Sequence, residues 1–187
     1  MPALFVIGAR NADGQTARAA KAFAEGLSNN ACEAEFFYLP TMRVERCRQC
    51  DDSGWGICRT EGRCIIDDDL AALVVRVSSA EAVVFATPVY FGDLSESLRA
   101  FLDRLRRTSM HEAGKAKCDG VRAVGICVAG GGGGGAPECC ASLNKVLQRC
   151  GFDVVDLQPV RRQNLGAKLT QLRQAGQWLA QAPPRSG

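Results

Sequence analysis

In AVVFATPVYFGDLSESLRAFLDR, residues 82–104, a continuous apolar run gives way to a loop and then to a helical pattern. AVVFA (82–86) lacks polar alternation, as a strand buried on both faces requires. SESLRAFLDRLRR (95–107) opens with a serine suited to cap a helix, and its apolar residues at 98, 101, 102 and 105 share one helical face. A strand, a loop and a helix in this order predict a parallel sheet, because parallel neighbours need a crossover that a helix supplies.

The same unit recurs on both sides. ALFVIG (3–8) is a strand run followed by the helix-forming TARAAKAFAEGL (16–27), with Gly26 near its end, and EAEFFYL (33–39) is a second strand. DDDLAALVVRVSSA (67–80) places acidic residues where a helix N-terminus favours them. Beyond residue 104 come a strand VRAVGICVAG (121–130), a helix PECCASLNKVLQRC (137–150) with proline at its start, a strand DVVDLQPV (153–160) and a helix AKLTQLRQAGQWLAQ (167–181). Five strands alternating with helices define an α/β fold, a doubly wound five-stranded parallel sheet. The chain is expected to form one domain over residues 1–181, with a Cys-rich loop insertion at 44–66 and a flexible tail at 182–187.

Composition excludes several classes of function. With 187 residues, 47% of them hydrophobic, the chain can bury one substantial core. A net charge of +3, with basic residues scattered through the helical patterns, argues against nucleic acid as a partner. MPALFVIGARN has no basic flank and its apolar run stops at Gly8, so neither a signal peptide nor a membrane span is read there. A soluble cytoplasmic protein without membrane partners is expected, and in that compartment the ten cysteines point to metal or redox chemistry rather than disulfides.

Ligands of doubly wound sheets sit outside the carboxyl ends of the strands. The first such loop, GARNADGQT (8–16), brings backbone N–H groups and a helix dipole to a point that favours phosphate, with the Thr16 hydroxyl as a further donor. An ordinary polar turn capped by Thr16 is the alternative. In TPVYFGDLSES (87–97), Tyr90 and Phe91 beside Pro88 suit a flat ring, or else simply cover the sheet end. AGGGGGGAPE (129–138) has six consecutive glycines, which suggests close backbone approach to a ligand rather than a linker.

CRQCDDSGWGICRTEGRC (47–64) packs Cys47, Cys50, Cys58 and Cys64 into a C-x2-C-x7-C-x5-C pattern. Four thiolates of this kind can hold a [4Fe–4S] cluster or zinc, or stand as free or redox-switching thiols. The loop is expected at the carboxyl edge of the sheet, on the side of the ring site. Cys32, Cys118, Cys127 and Cys150 read as small core fillers, whereas Cys139 and Cys140 fall in the first turn of a helix, where the dipole can activate a thiol.

VIGARNADGQTARAAKAFAEGL, TPVYFGDLSESLRAFLDR and VAGGGGGGAPE together resemble the flavodoxin-like NAD(P)H-dependent FMN reductases, over roughly residues 3 to 160. The cysteine stretch before IIDDDL resembles the iron–sulfur flavoproteins among them. The resemblance implies strand order 2-1-3-4-5 and an FMN phosphate held by the first loop at Arg10, Asn11, Gln15 and Thr16. It further implies the isoalloxazine ring against Thr87, Pro88, Val89, Tyr90 and Phe91, bordered by Gly130, Gly131 and Gly132. Cys47, Cys50, Cys58 and Cys64 would ligate a [4Fe–4S] cluster, with zinc as the alternative. The implied function is to move electrons between a reduced donor, FMN and, where it is present, that cluster; the alternatives are an NAD(P)H:FMN oxidoreductase with a structural zinc or thiol Cys loop, and a non-enzymatic flavodoxin-fold metal-binding or thiol-sensing module. NAD(P)H or a reduced electron-carrier protein would be the partner, in a homodimer or homotetramer. Two departures stand out: Ala9, Arg10, Asn11 and Gln15 replace the family's usual Ser, Pro, Arg and Asn, and DDSGWGI lengthens the second cysteine interval.

Overall fold

The computed structural model describes residues 2–28 and 33–182. Its strands β1 (Pro2–Ile7), β2 (Glu33–Tyr38), β3 (Ala82–Pro88), β4 (Arg122–Ala129) and β5 (Asp153–Arg161) form one parallel sheet, ordered β2-β1-β3-β4-β5. The helices are α1 (Gln15–Ser28), α2 (Ile57–Thr60), α3 (Leu70–Ser79), α4 (Glu96–Ser109), α5 (Ala136–Cys150) and α6 (Leu165–Gln181). All five predicted strands and five predicted helices are present, with ends displaced by a few residues. Cys32 and tail residues 183–187 lie outside the described residues.

The apolar strand runs are explained by burial on both faces. Along β1, Leu4 and Val6 meet α3, α4 and α5, while Ala3, Phe5 and Ile7 meet α1 and α6. β3 repeats the alternation, with Val83 and Phe85 on one side and Val84 and Ala86 on the other. Each fully buried side chain of this size contributes about 1.5–3 kcal/mol relative to exposure.

Two local readings shift. Gly26 lies near the end of α1 as expected, but its role is packing: a Cβ there would stand 3.0 Å from the Gln177 backbone nitrogen, so the missing side chain lets α1 and α6 cross closely. Nor do Asp67, Asp68 and Asp69 form the first turn of α3, which begins at Leu70. Backbone donors of the preceding chain have recruited the carboxylates of Asp68 and Asp69: Arg43 N–H donates to Asp69 Oδ2 at 2.7 Å and Glu45 N–H to Asp68 Oδ2 at 2.8 Å. These bonds fasten the start of the cysteine loop to the base of α3. Among the described residues no helix is long and apolar enough to cross a membrane.

Candidate functional site

Three loops after β1, β3 and β4 converge on one cleft of about 600 Å³ at the carboxyl ends of the strands. The first loop owes its shape to Asn11, whose side-chain oxygen accepts from Asp13 N–H at 2.9 Å and whose carbonyl accepts from Gly14 N–H at 3.2 Å. Lys21 steadies the turn by donating to the Ala12 carbonyl at 2.7 Å. Gln15 and the buried Thr16 then open α1 against the cleft. The first N–H groups of a helix have no partner within it, so this wall is suited to an anion.

The second wall leaves β3 through a tied corner. Thr87 is fully buried, and its hydroxyl accepts the Ser95 N–H at 3.1 Å, which joins the strand's end to the helix cap. Ser95 caps α4 by accepting from Leu98 N–H at 3.5 Å. Between these residues Tyr90 and Asp93 exchange two backbone hydrogen bonds of 2.9 Å, closing a tight turn with Phe91 (φ +51°) and Gly92 (φ +76°) at its centre. Left-handed backbone is uncommon for a bulky residue, and it throws the Phe91 ring fully into solvent.

Glycine is required in the third wall. Gly131, Gly133 and Gly135 are left-handed, with φ of +41°, +79° and +83°, and Gly133 N–H closes a turn onto the Gly130 carbonyl at 2.7 Å. A Cβ on Gly130, Gly131, Gly132 or Gly134 would meet nothing within 4 Å, so the loop lies against open space. The Gln163 amide supports it from the segment after β5 by donating to the Gly131 carbonyl at 3.3 Å.

Of the expected flavin-site residues, Gln15, Thr16, Pro88, Val89, Tyr90, Gly130, Gly131 and Gly132 line the cleft. Arg10, Asn11, Thr87 and Phe91 do not: Arg10 and Asn11 are exposed on the outer turn, Thr87 is buried behind the wall, and Phe91 points outward. Gly14, Val128, Ala129, Gly133 and Gly134 also line the cleft and were missed individually, although all five lie in the stretches already singled out. The cleft fits FMN, with a helix N-terminus for a phosphate and a side-chain-free glycine floor for a flat ring.

Cys47, Cys50, Cys58 and Cys64 are brought together around a second, much smaller cavity, walled by Arg104, Arg107 and Thr108 of α4. Among the described residues no three His, Cys, Asp or Glu side chains stand close enough to hold a metal ion. The donor set nevertheless fits an anionic thiolate-bound centre: four cysteines line one small cavity, and the buried Nε atoms of Arg104 and Arg107 lack any hydrogen-bond partner. The location differs from expectation. Arg104 lies nine residues beyond Ser95, about 14 Å along the helix at 1.5 Å per residue, so the loop folds back down α4, away from the cleft mouth.

Arg104 holds that fold-back in place. It is 1% exposed, pairs with Asp68 through contacts of 2.5 and 3.0 Å, and donates to the Glu45 carbonyl at 3.0 Å. Burial pushes the Asp68 carboxyl up, but hydrogen bonds from Arg104 and from the Glu45 and Leu70 N–H groups outweigh it and hold the group below its ordinary value. Arg107 donates to the Gly54 carbonyl and lies 4.1 Å from the Trp55 ring.

The remaining described cysteines are buried. Burial pushes the thiols of Cys118 and Cys150 up to about 12, as suits inert core fillers. Cys127, Cys139 and Cys140 cluster behind the glycine loop, where the Cys127 thiol is held up by hydrogen bonding to the other two and Cys140 is held down by Cys127.

A three-loop cleft at the carboxyl ends of a sheet ordered β2-β1-β3-β4-β5 defines a flavodoxin-like protein. The sequence pattern of the NADPH-dependent FMN reductase family matches residues 1–163, and the chain belongs to that family. An iron-sulfur flavoprotein of Methanocaldococcus jannaschii is 27% identical over 125 residues, 67% of this chain and 62% of that protein. One from Methanosarcina thermophila is 31% identical over 96 residues, 50% of this chain and 47% of its own length. The chain thus matches roughly half to three fifths of these curated relatives. Among solved structures, an NAD(P)H:quinone oxidoreductase from Methanothermobacter marburgensis superposes with a TM-score of 0.72 at 19% identity, over 100% of this chain and 99% of that one. An archaeal flavodoxin superposes with a TM-score of 0.63 at 14% identity, covering 96% of each chain. At these identities the likeness is one of fold.

Proposed function

We propose that this protein is an FMN-dependent oxidoreductase of the iron–sulfur flavoprotein type, taking electrons from NAD(P)H or a reduced carrier protein and passing them between FMN and a [4Fe–4S] cluster on Cys47, Cys50, Cys58 and Cys64. The observation that carries the reading is the convergence of the loops after β1, β3 and β4 on one cleft of about 600 Å³. When bound, FMN would supply the means to take two electrons from a nicotinamide and to release them one at a time. In this reading the start of α1, with Thr16, holds the phosphate. Pro88, Val89 and Tyr90 hold one edge of the ring, and Gly130 to Gly134 let the backbone approach it. Arg10, Asn11, Thr87 and Phe91 act indirectly, by shaping the turns that carry these contacts.

The domain would span residues 1–181, with the stretch 44–66 as an insertion carrying the cluster. A homodimer or homotetramer is part of the same reading, because a fully exposed Phe91 at the lip of the cleft is suited to burial against a second copy.

A second reading, an NAD(P)H:FMN oxidoreductase whose cysteine loop is structural, is favoured by the bonds of Arg104 to Asp68 and to the Glu45 carbonyl, which tie that loop to α4. Flavin, iron, zinc and sulfide analysis of one anaerobic preparation separates the two. The first requires one FMN with about four irons and four sulfides per chain. Zinc without sulfide, or neither metal, returns the second, and absence of flavin overturns both.

A further inference from the structure

We infer that Arg104 and Arg107 are positioning residues that set the reduction potential of the cysteine-bound centre, an inference that rests on the cluster reading above. Both guanidinium groups wall the cavity of the four cysteines, and both keep a buried Nε without a hydrogen-bond partner. A buried donor left unmade is costly, and neutral thiols are weak acceptors that do little to relieve it. Sulfurs carrying negative charge relieve it well.

Both guanidinium groups are held in place by partners outside the lining of the cavity. Arg104 is locked by Asp68 and by the Glu45 carbonyl, and Arg107 by the Gly54 carbonyl and the face of Trp55. His111 packs edge to face against that indole, with ring centroids 4.8 Å apart. Two fixed cations on one wall of a small thiol-lined cavity are more than packing needs. Asp68 offsets one of them, which leaves a net positive wall facing the sulfurs. Positive charge and hydrogen bonds at the sulfurs stabilise the more negative, reduced state of a cluster, so this wall raises its potential.

Arg107 is the residue to vary, because removing Arg104 alone would strand the buried Asp68. Wild type, Arg107→Met and Arg107→Lys are prepared anaerobically, and each is assayed for iron, sulfide and the cluster's midpoint potential by absorbance and electron paramagnetic resonance. Arg107→Met should favour the oxidised cluster about tenfold more than wild type, a fall of about 59 mV for one electron. Arg107→Lys, which keeps the charge but not the planar fork, should retain the cluster and fall between the two. Iron lost from the Met variant but kept by the Lys variant also supports the assignment. Wild-type potential in Arg107→Met, or iron lost equally from both variants, would overturn it and leave Arg107 as a structural brace. A wild-type protein with flavin but without iron overturns the cluster reading itself, and this inference with it.

Discussion

A side-chain carbon on Gly135 would stand 2.7 Å from the Cα of Gly92, so the glycine-rich loop and the aromatic loop meet backbone to backbone. Gly135 is also left-handed, at φ +83°, immediately before α5. Gly135→Ala therefore combines a backbone cost of about 1–2 kcal/mol with a clash that separates two walls of the cleft. The melting temperature should fall by about 2–8 °C for a chain of this size, and FMN affinity should fall with it. Thermal unfolding with and without FMN checks both; unchanged values would mean that the two loops do not need this contact.

Asp68 and Arg104 form a buried ion pair, with side chains 0% and 1% exposed. Asp68→Asn should destabilise the protein by about 3–5 kcal/mol at neutral pH, since Arg104 loses its counter-charge. The Asp68 carboxyl is held below its ordinary value of 3.8, so its contribution is complete above that value and is lost as the pH falls through the lower, folded-state value. Urea unfolding at pH 7 and below pH 3.8 should accordingly show a wide gap between wild type and variant that narrows in acid. A gap independent of pH would show that the pair contributes through packing alone.

Thr16 tests the phosphate end of the cleft. Thr16→Val keeps the shape of a buried residue and removes one hydroxyl, a loss of about 1.5–3 kcal/mol if that hydroxyl meets a charged phosphate, or roughly tenfold to a hundredfold in affinity. Riboflavin lacks the phosphate and should bind the variant as it binds wild type. Fluorescence titration with both ligands distinguishes this from a general disturbance, in which the two would weaken alike.

The fold was legible because its strands are buried on both faces. Phe85 and Val84 point into opposite layers, and that demand alone produces the unbroken apolar run of AVVFA. The cleft was legible as stretches of loop more than as individual residues. Sequence alone reads Ser95 as a helix cap and Thr87 as a ring contact, yet the two are buried and bonded to one another, a relation that exists only once β3 and α4 are placed. The course of the cysteine loop was not legible at all. It depends on Asp68 meeting Arg104, residues 36 apart in the chain, and nothing local in DDD or LDRLRR announces that pairing. The roles of Gln163 behind the glycine loop and of Trp55 beneath Arg107 are long-range for the same reason.

Gly132 offers the most direct test that FMN occupies the three-loop cleft. It lines the cleft, a Cβ added there would meet nothing within 4 Å, and its φ lies outside the left-handed region, so Gly132→Val fills ligand space without straining the fold. FMN is titrated into flavin-free wild type and variant, with the melting temperature of each flavin-free protein measured alongside. One FMN should bind wild type, and binding to the variant should weaken by at least about tenfold at an unchanged melting temperature, the cost of displacing a ring from its bed being about 1.4 kcal/mol or more. Equal FMN affinity for wild type and Gly132→Val would contradict the placement of the flavin in this cleft.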